Sequence, residues 1–185
     1  MARPPDPARR DQLLDGAVDY VITHGIADLS LRPLAEALGT QAPVLLHHFG
    51  SKEHLVEELL GRARDRVRAR GREAEAQSHR SGLGTVWAWV ADPAQGPLMR
   101  LFFEMYALAL RRPDRYATFL QHAVRDWLDE PLAAVDEISA TLAIATITGL
   151  LLDLLTTGDR TRVEDAMERF RLMLHAHADA ARPGP

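Results

Sequence analysis

Between Ser30 and Ser51 the chain presents three helix starts and two helix stops in quick succession. Ser30 is a good N-cap residue, and Pro33 falls in the turn that follows, where its missing N–H costs nothing. Gly39 closes that helix. Pro43 again suits a first turn, Gly50 supplies a second stop, and Ser51 caps a third helix. The result is two short helices, about Ser30–Leu38 and Gln41–His48, joined by a tight turn at Gly39-Thr40. A longer amphipathic helix precedes them, with Leu13, Leu14, Ala17, Val18, Val21 and Ile22 at helical spacing and Gly25 as its stop. A long one follows, from Ser51 through Leu55, Val56, Leu59 and Leu60 to about Gln77. Its arginines at 62, 64, 66, 68, 70 and 72 read as a solvated exterior spread around the helix.

The rest is also helical in pattern, with segments at about 83–91, 97–112, 114–129, 135–156 and 161–178 separated by Asp-Pro, Gly-Pro, Arg-Pro, Glu-Pro and Gly-Asp pairs. No strand-like alternation bounded by hairpin turns occurs, and no repeat. The reading is an all-α chain of about nine helices. A three-helix module over 8–68 precedes a larger helical domain over 80–180, with residues 78–84 as the linker.

Composition removes several function classes. There are no cysteines, so disulfides, thiol catalysis and cysteine-held metals are out, and a reducing cytoplasm is the expected location. The charge of −4 is uneven: residues 1–72 carry 11 basic and 10 acidic side chains, the remainder 11 and 16. Nucleic-acid binding needs a basic face and not a basic protein. Met1–Arg10 has no apolar run of the secretory kind. Ile138–Leu155 is the one membrane candidate. It contains Asp153, at a cost of about 2.5–3.5 kcal/mol if central, and lacks a basic flank at its start, so a buried helix is expected and no membrane partner. No glycine-rich phosphate loop, HExxH pair or GxSxG elbow is present, so no catalytic residue and no cofactor is assigned. His47 and His48 point about 100° apart on a helix and His54 lies beyond, so no metal site is expected.

In a helix-turn-helix, the second short helix enters the major groove and its first turns meet base edges. The run Leu29-Ser30-Leu31-Arg32-Pro33-Leu34-Ala35-Glu36-Ala37-Leu38-Gly39, and then Val44-Leu45-Leu46-His47-His48-Phe49-Gly50-Ser51-Lys52-Glu53-His54-Leu55, resembles the DNA-binding domain of the tetracycline-repressor (TetR) family. Cap, turn, aromatic and lysine fall together at the family's spacings, over residues 8 to about 68. The resemblance implies DNA contacts from Ser30, Arg32, Thr40, Gln41, Ala42, Val44, His47 and Lys52. Chemistry adds to it. Ser30 is a plain cap or a phosphate donor. Lys52, the only lysine, lies at a helix N-terminus that already favours an anion. Gln41 suits adenine, and Thr40 or Val44 suits a thymine methyl. Arg3, Arg9 and Arg10 suit an arm along the phosphates or the minor groove. Leu46 departs from the family's usual tyrosine, which touches a phosphate.

In the second half, Ile138, Leu142, Ala145, Gly149, Leu152 and Leu155 form one apolar face, and Ile144, Ile147, Leu150, Leu151 and Leu154 make other faces apolar too. Such a helix needs cover on all sides. A second copy can give it, and the resemblance implies a homodimer through the last two helices, with Val163, Met167, Phe170, Leu174 and His177 as the final helix's stripe. The resemblance also implies a cavity for a small hydrophobic effector. Trp87, Arg100, Phe103, Glu104, Tyr106, Tyr116, Phe119 and Trp127 are its candidate lining, with core packing the alternative for the aromatic ones. The implied function is a dimeric regulator of a palindromic operator, most often a repressor in this family.

Overall fold

The computed structural model describes residues 6–77, 82–129 and 136–180, with the backbone alone for 124, 127–129 and 178–180. Among the described residues there are nine α-helices: α1 Pro7–His24, α2 Leu31–Ala37, α3 Ala42–Phe49, α4 Lys52–Gln77, α5 Leu83–Val90, α6 Gly96–Arg111, α7 Ala117–Asp129, α8 Glu137–Thr157 and α9 Arg160–Ala180. A 3₁₀ turn, Pro93–Gln95, precedes α6. The all-α reading holds. Helix α1 begins before its apolar run because Asp6 accepts the Ala8 N–H at 3.0 Å and Pro7 is pre-set for a first turn. Helix α7 starts later than its pattern suggests, because the chain turns at Arg112, whose carbonyl accepts N–H groups from Arg115 and Tyr116.

Two compact units emerge. The first joins residues up to 69 with 97–123, the second joins 70–96 with residues from 124 on. This differs from the expected 8–68 and 80–180, since 97–123 packs with the first unit. Of the expected linker, 78–81 lie outside the described residues, as does Arg3.

In the first unit, Leu13, Val18 and Val21 of α1, Leu34 of α2, Leu45 and Phe49 of α3, and Leu55 and Leu59 of α4 share one core with Met105, Tyr116 and Phe119. An ion-pair ladder runs beside it. Arg62 reaches Asp11 at 2.8 Å and Asp15 at 3.1 Å, and Arg66 pairs with Asp19. These two arginines are therefore not the plain solvated exterior that their alternation suggests. Four residues apart, they meet α1 carboxylates that are also four apart. Pairs this exposed contribute roughly 0–1 kcal/mol each, but together they set the register of α1 on α4.

In the second unit, α8 and α9 pack as a hairpin about Gly158, whose φ of 70° is left-handed. Arg162 holds the corner, with Asp153 at 2.7 Å and Asp159 at 3.1 Å. Its hydrogen bonds hold the Asp153 carboxyl below the usual carboxylate range. Helix α8 is long and apolar enough to cross a membrane by length and composition alone. It has two faces. Ala140, Ala143, Ile147 and Leu151 are buried, whereas Ile138, Leu142, Ala145, Gly149 and Leu152 are exposed, in a stripe with alternating steps of four and three. Leu155, expected in that stripe, is half-buried. Of the stripe expected on α9, Val163 and Met167 are buried within the unit, Phe170 and Leu174 are half-buried and His177 is exposed, and the exposed large apolar residues are Leu172 and Met173. The spacing of Val163, Met167, Phe170 and Leu174 defines a face but not what covers it.

Neighbours on α3 meet opposite fates. Leu45 is 1% exposed and Leu46 40%. Thermal and urea unfolding should find Leu45→Ala destabilising by about 2–5 kcal/mol, and Leu46→Ala within about 0.5 kcal/mol of wild type.

Candidate nucleic-acid interface

Helix α3 is short because both of its ends are set by sequence. Gln41 is its extended N-cap residue, a proline lies in its first turn, and Gly50 stops it at φ 75°. Leu45 and Phe49, four apart, turn inward. Pro43, Val44, Leu46 and His47 consequently face solvent, and Ala42 is half-buried. Gln41 is exposed and its side chain makes no cap hydrogen bond. Thr40, in the turn before α3, is half-buried, and its N–H donates to the Ala35 carbonyl at 2.8 Å.

Ser30 is the N-cap residue of α2, but its exposed hydroxyl makes no cap hydrogen bond, so the plain-cap reading does not describe it. Arg32, on the first turn of α2, is exposed. Lys52 is exposed at the first position of α4, where Ser51 Oγ accepts the His54 N–H at 3.0 Å. Among the described residues neither Arg32 nor Lys52 has an ion-pair partner. Two cations and a hydroxyl thus stand at the starts of the helices on either side of α3, beside N–H groups that favour an anion.

The basic arm is different. Arg10 pairs with Glu58, donates from Nε to the His48 carbonyl at 3.3 Å, and lies over the Phe49 ring at 4.9 Å. It fastens α1 to the end of α3 and is not a free arm. Arg9 is exposed, with Gln12 as its neighbour at 3.5 Å. His54, rather than joining His47 and His48, sits beside Glu57 and Glu58 at 3.2 and 3.0 Å.

The eight candidate effector residues are divided between the two units. Trp87 lies in the second unit, whereas Arg100, Phe103, Glu104, Tyr106, Tyr116 and Phe119 lie in the first. The Trp127 side chain lies outside the described residues. Tyr116 and Phe119 are buried core, Tyr106 donates its hydroxyl to the Ala123 carbonyl at 2.8 Å, and Arg100 is exposed. Phe103 packs edge-on against Phe102. Glu104 accepts the Ile26 N–H at 2.7 Å and lies so close to Gly25 that a Cβ there would meet its carboxylate at 2.9 Å. With φ at 79°, Gly25 suits this place twice over. The carboxylate of α6 thereby anchors the turn that leads into the helix-turn-helix.

A cleft of about 970 Å³ opens in the second unit, bordered by Leu83, Trp87, Trp89, Met167, Leu174 and the carboxylates of Asp92, Glu164 and Glu168. Glu164 accepts the Trp87 indole N–H at 2.9 Å, and hydrogen bonds from Arg171 hold the Glu168 carboxyl below the usual carboxylate range. Of the residues bordering this cleft, Trp87 is a candidate named from the sequence, and Trp89 and the acidic side chains of α9 are not. Met167 and Leu174 were visible as an apolar stripe, with no signal of the tryptophans opposite.

Residues 13–59 match the family model described as bacterial regulatory proteins, tetR family. The matched segment, about a quarter of the chain, is similar to the regulatory proteins of the tetR family. It is 27% identical over 114 residues to the HTH-type transcriptional regulator BetI 2 of Chromohalobacter salexigens, a match covering 58% of this chain and 55% of that one. It is 41% identical over 58 residues to the HTH-type transcriptional repressor KstR2 of Mycolicibacterium smegmatis, covering 31% and 28%. The chain thus spans about half the length of its BetI relatives and less of KstR2. Among solved structures, the multidrug binding protein EbrR complexed with ethidium superposes with a TM-score of 0.70 at 25% identity, covering 90% of this chain and 99% of that one. The TetR-family match covers α3 and every exposed residue that flanks it except those before residue 13.

The Glu104 anchor generates a test. Glu104→Leu removes a charged acceptor from a part-buried amide and should cost about 1.5–3 kcal/mol. Hydrogen exchange at the Ile26 amide should accelerate, and Glu104→Gln, which keeps an acceptor oxygen, should restore most of the protection.

Proposed function

We propose that this chain is a TetR-family DNA-binding transcriptional regulator, a cytoplasmic repressor that grips a palindromic operator as a homodimer and is released by a small hydrophobic effector. The observation that carries the reading is the outward face of α3, held from behind by Leu45 and Phe49 and flanked by exposed Ser30, Arg32 and Lys52. Phosphate contacts fix register and base edges supply specificity. The proposed division of labour follows: Ser30, Arg32 and Lys52 hold phosphates, while Thr40, Gln41, Ala42, Val44 and His47 meet the groove. The chain is read as a regulator and not an enzyme, in keeping with the names of its relatives.

Dimerisation is supported by the exposed stripe of α8, Ile138, Leu142, Ala145, Gly149 and Leu152, and by the exposure of Leu172 and Met173 on α9. A Cβ on Gly149 would meet nothing within 4 Å in the subunit, leaving room for close approach of a second helix. A two-fold dimer then sets two copies of α3 on successive major-groove turns, about 34–36 Å apart.

The effector site is placed in the cleft beside Trp87 and Trp89. The two indoles offer apolar area, and Asp92, Glu164, Glu168, Arg171 and His175 offer polar groups of both signs at its border. EbrR, named with ethidium, supports a small-molecule effector. Helix α4 runs through both units: its early residues Leu55 and Leu59 belong to the core of the first, and its late residues Ala74 and Gln77 border the cleft of the second. Release requires the effector to bind the DNA-incompetent arrangement more tightly, since equal affinity shifts nothing.

Titration of the chain against DNA from its own upstream region, at several salt concentrations, tests the reading. Wild type should bind with a steep salt dependence, and Lys52→Ala should flatten the slope by about 0.9 per lost phosphate contact, or about 2 for a dimer. Binding that is indifferent to salt and to Lys52 contradicts it.

A further inference from the structure

We infer that the recognition helix reads its half-site chiefly through thymine methyl groups, with Val44 and Leu46 as the readers, so that the operator half-site is rich in A·T pairs where α3 enters. The inference rests on the DNA-binding reading above and adds the base class.

The exposed face of α3 consists of Pro43, Val44, Leu46 and His47. Three of the four are apolar. The helix carries no Arg, Lys, Asp, Glu, Asn or Gln. Val44 is 37% exposed and Leu46 40%, and in residues 6–77 no other large hydrophobic side chain is as exposed. They stand about 160° apart around the helix, at the two edges of the exposed face with Pro43 and His47 between them, so each addresses a different base pair.

The major groove shows one strongly apolar feature, the thymine C5 methyl. Guanine shows N7 and O6 acceptors, read best by a bidentate Arg or Lys, and cytosine shows an N4 donor, read by a carboxylate. Helix α3 has none of these groups. An isopropyl or isobutyl group pressed on a G·C edge strips water from those atoms and returns no hydrogen bond, which is a penalty. The same group on a thymine methyl buries apolar area on both sides. Gln41, exposed at the N-cap and free of a cap bond, adds the bidentate match to adenine at the neighbouring pair. The grip on the backbone is left to Arg32 and Lys52, outside α3, and carries no base preference. Leu46 thus has an assignment of its own, where a phosphate-binding side chain would have strengthened the grip without choosing a base.

The test is selection of duplexes from a random pool by the full-length protein, followed by re-synthesis of the selected site with deoxyuridine replacing thymine one position at a time. The substitution removes the methyl and leaves base pairing intact. The expected site has thymines at two separate positions in each half, and each contacted methyl should be worth roughly three- to fivefold in affinity. Val44→Ala and Leu46→Ala should each abolish the deoxyuridine effect at one position, with little change in salt slope. A selected site that binds tightly but is indifferent to every deoxyuridine, or whose half-sites are G·C pairs throughout, overturns this inference and leaves the regulator reading standing. Enrichment of no sequence by folded protein overturns both.

Discussion

The outward face of α3 exists because its inward face is occupied. Leu45 and Phe49 are buried in one core with Leu34, Leu55 and Leu59, so an eight-residue helix, too short to be stable alone, is held at a fixed rotation. Burying each such side chain is worth about 1.5–3 kcal/mol. That burial decides which side chains face the solvent, and hence which are offered to a partner. Around it, Arg10 ties α1 to the end of α3, and Arg62 and Arg66 register α1 on α4. Glu104 adds a tie from α6 to the turn after α1.

These ties give the module a particular character. The hydrophobic core supplies most of the stability, and the ionic contacts supply position. Exposed pairs are individually weak. Four of them spread along α1 and α4, however, leave few alternative registers in which all are satisfied. A reading head needs that kind of rigidity, because a contact displaced by an ångström along the groove meets the wrong base edge.

Most of the helices and all of α3's boundaries were legible from caps, prolines and glycines, since those signals act within a few residues. Less legible was anything that depends on which distant helix lies opposite. The arginines of α4 alternate as a solvated series would, and only the placement of Asp11, Asp15 and Asp19 turns Arg62 and Arg66 into a ladder. The stripe Val163, Met167, Phe170 and Leu174 was visible, but not that Val163 and Met167 are covered within the subunit. The candidate effector residues show the same dependence on distant neighbours. Glu104 and Tyr106 read as polar groups in an apolar pocket, whereas both are committed to backbone groups, at Ile26 and Ala123. Spacing along α6 shows that they share a region and says nothing of what they face.

The central claim is that two copies of α3 address one duplex. Hydroxyl-radical footprinting of the wild-type chain on a selected operator tests it most directly. The account predicts two equal protected patches on one face of the duplex, centred about 10–10.5 base pairs apart and appearing together as protein is added. A single patch saturating alone, or protection spread evenly along the DNA, would contradict it.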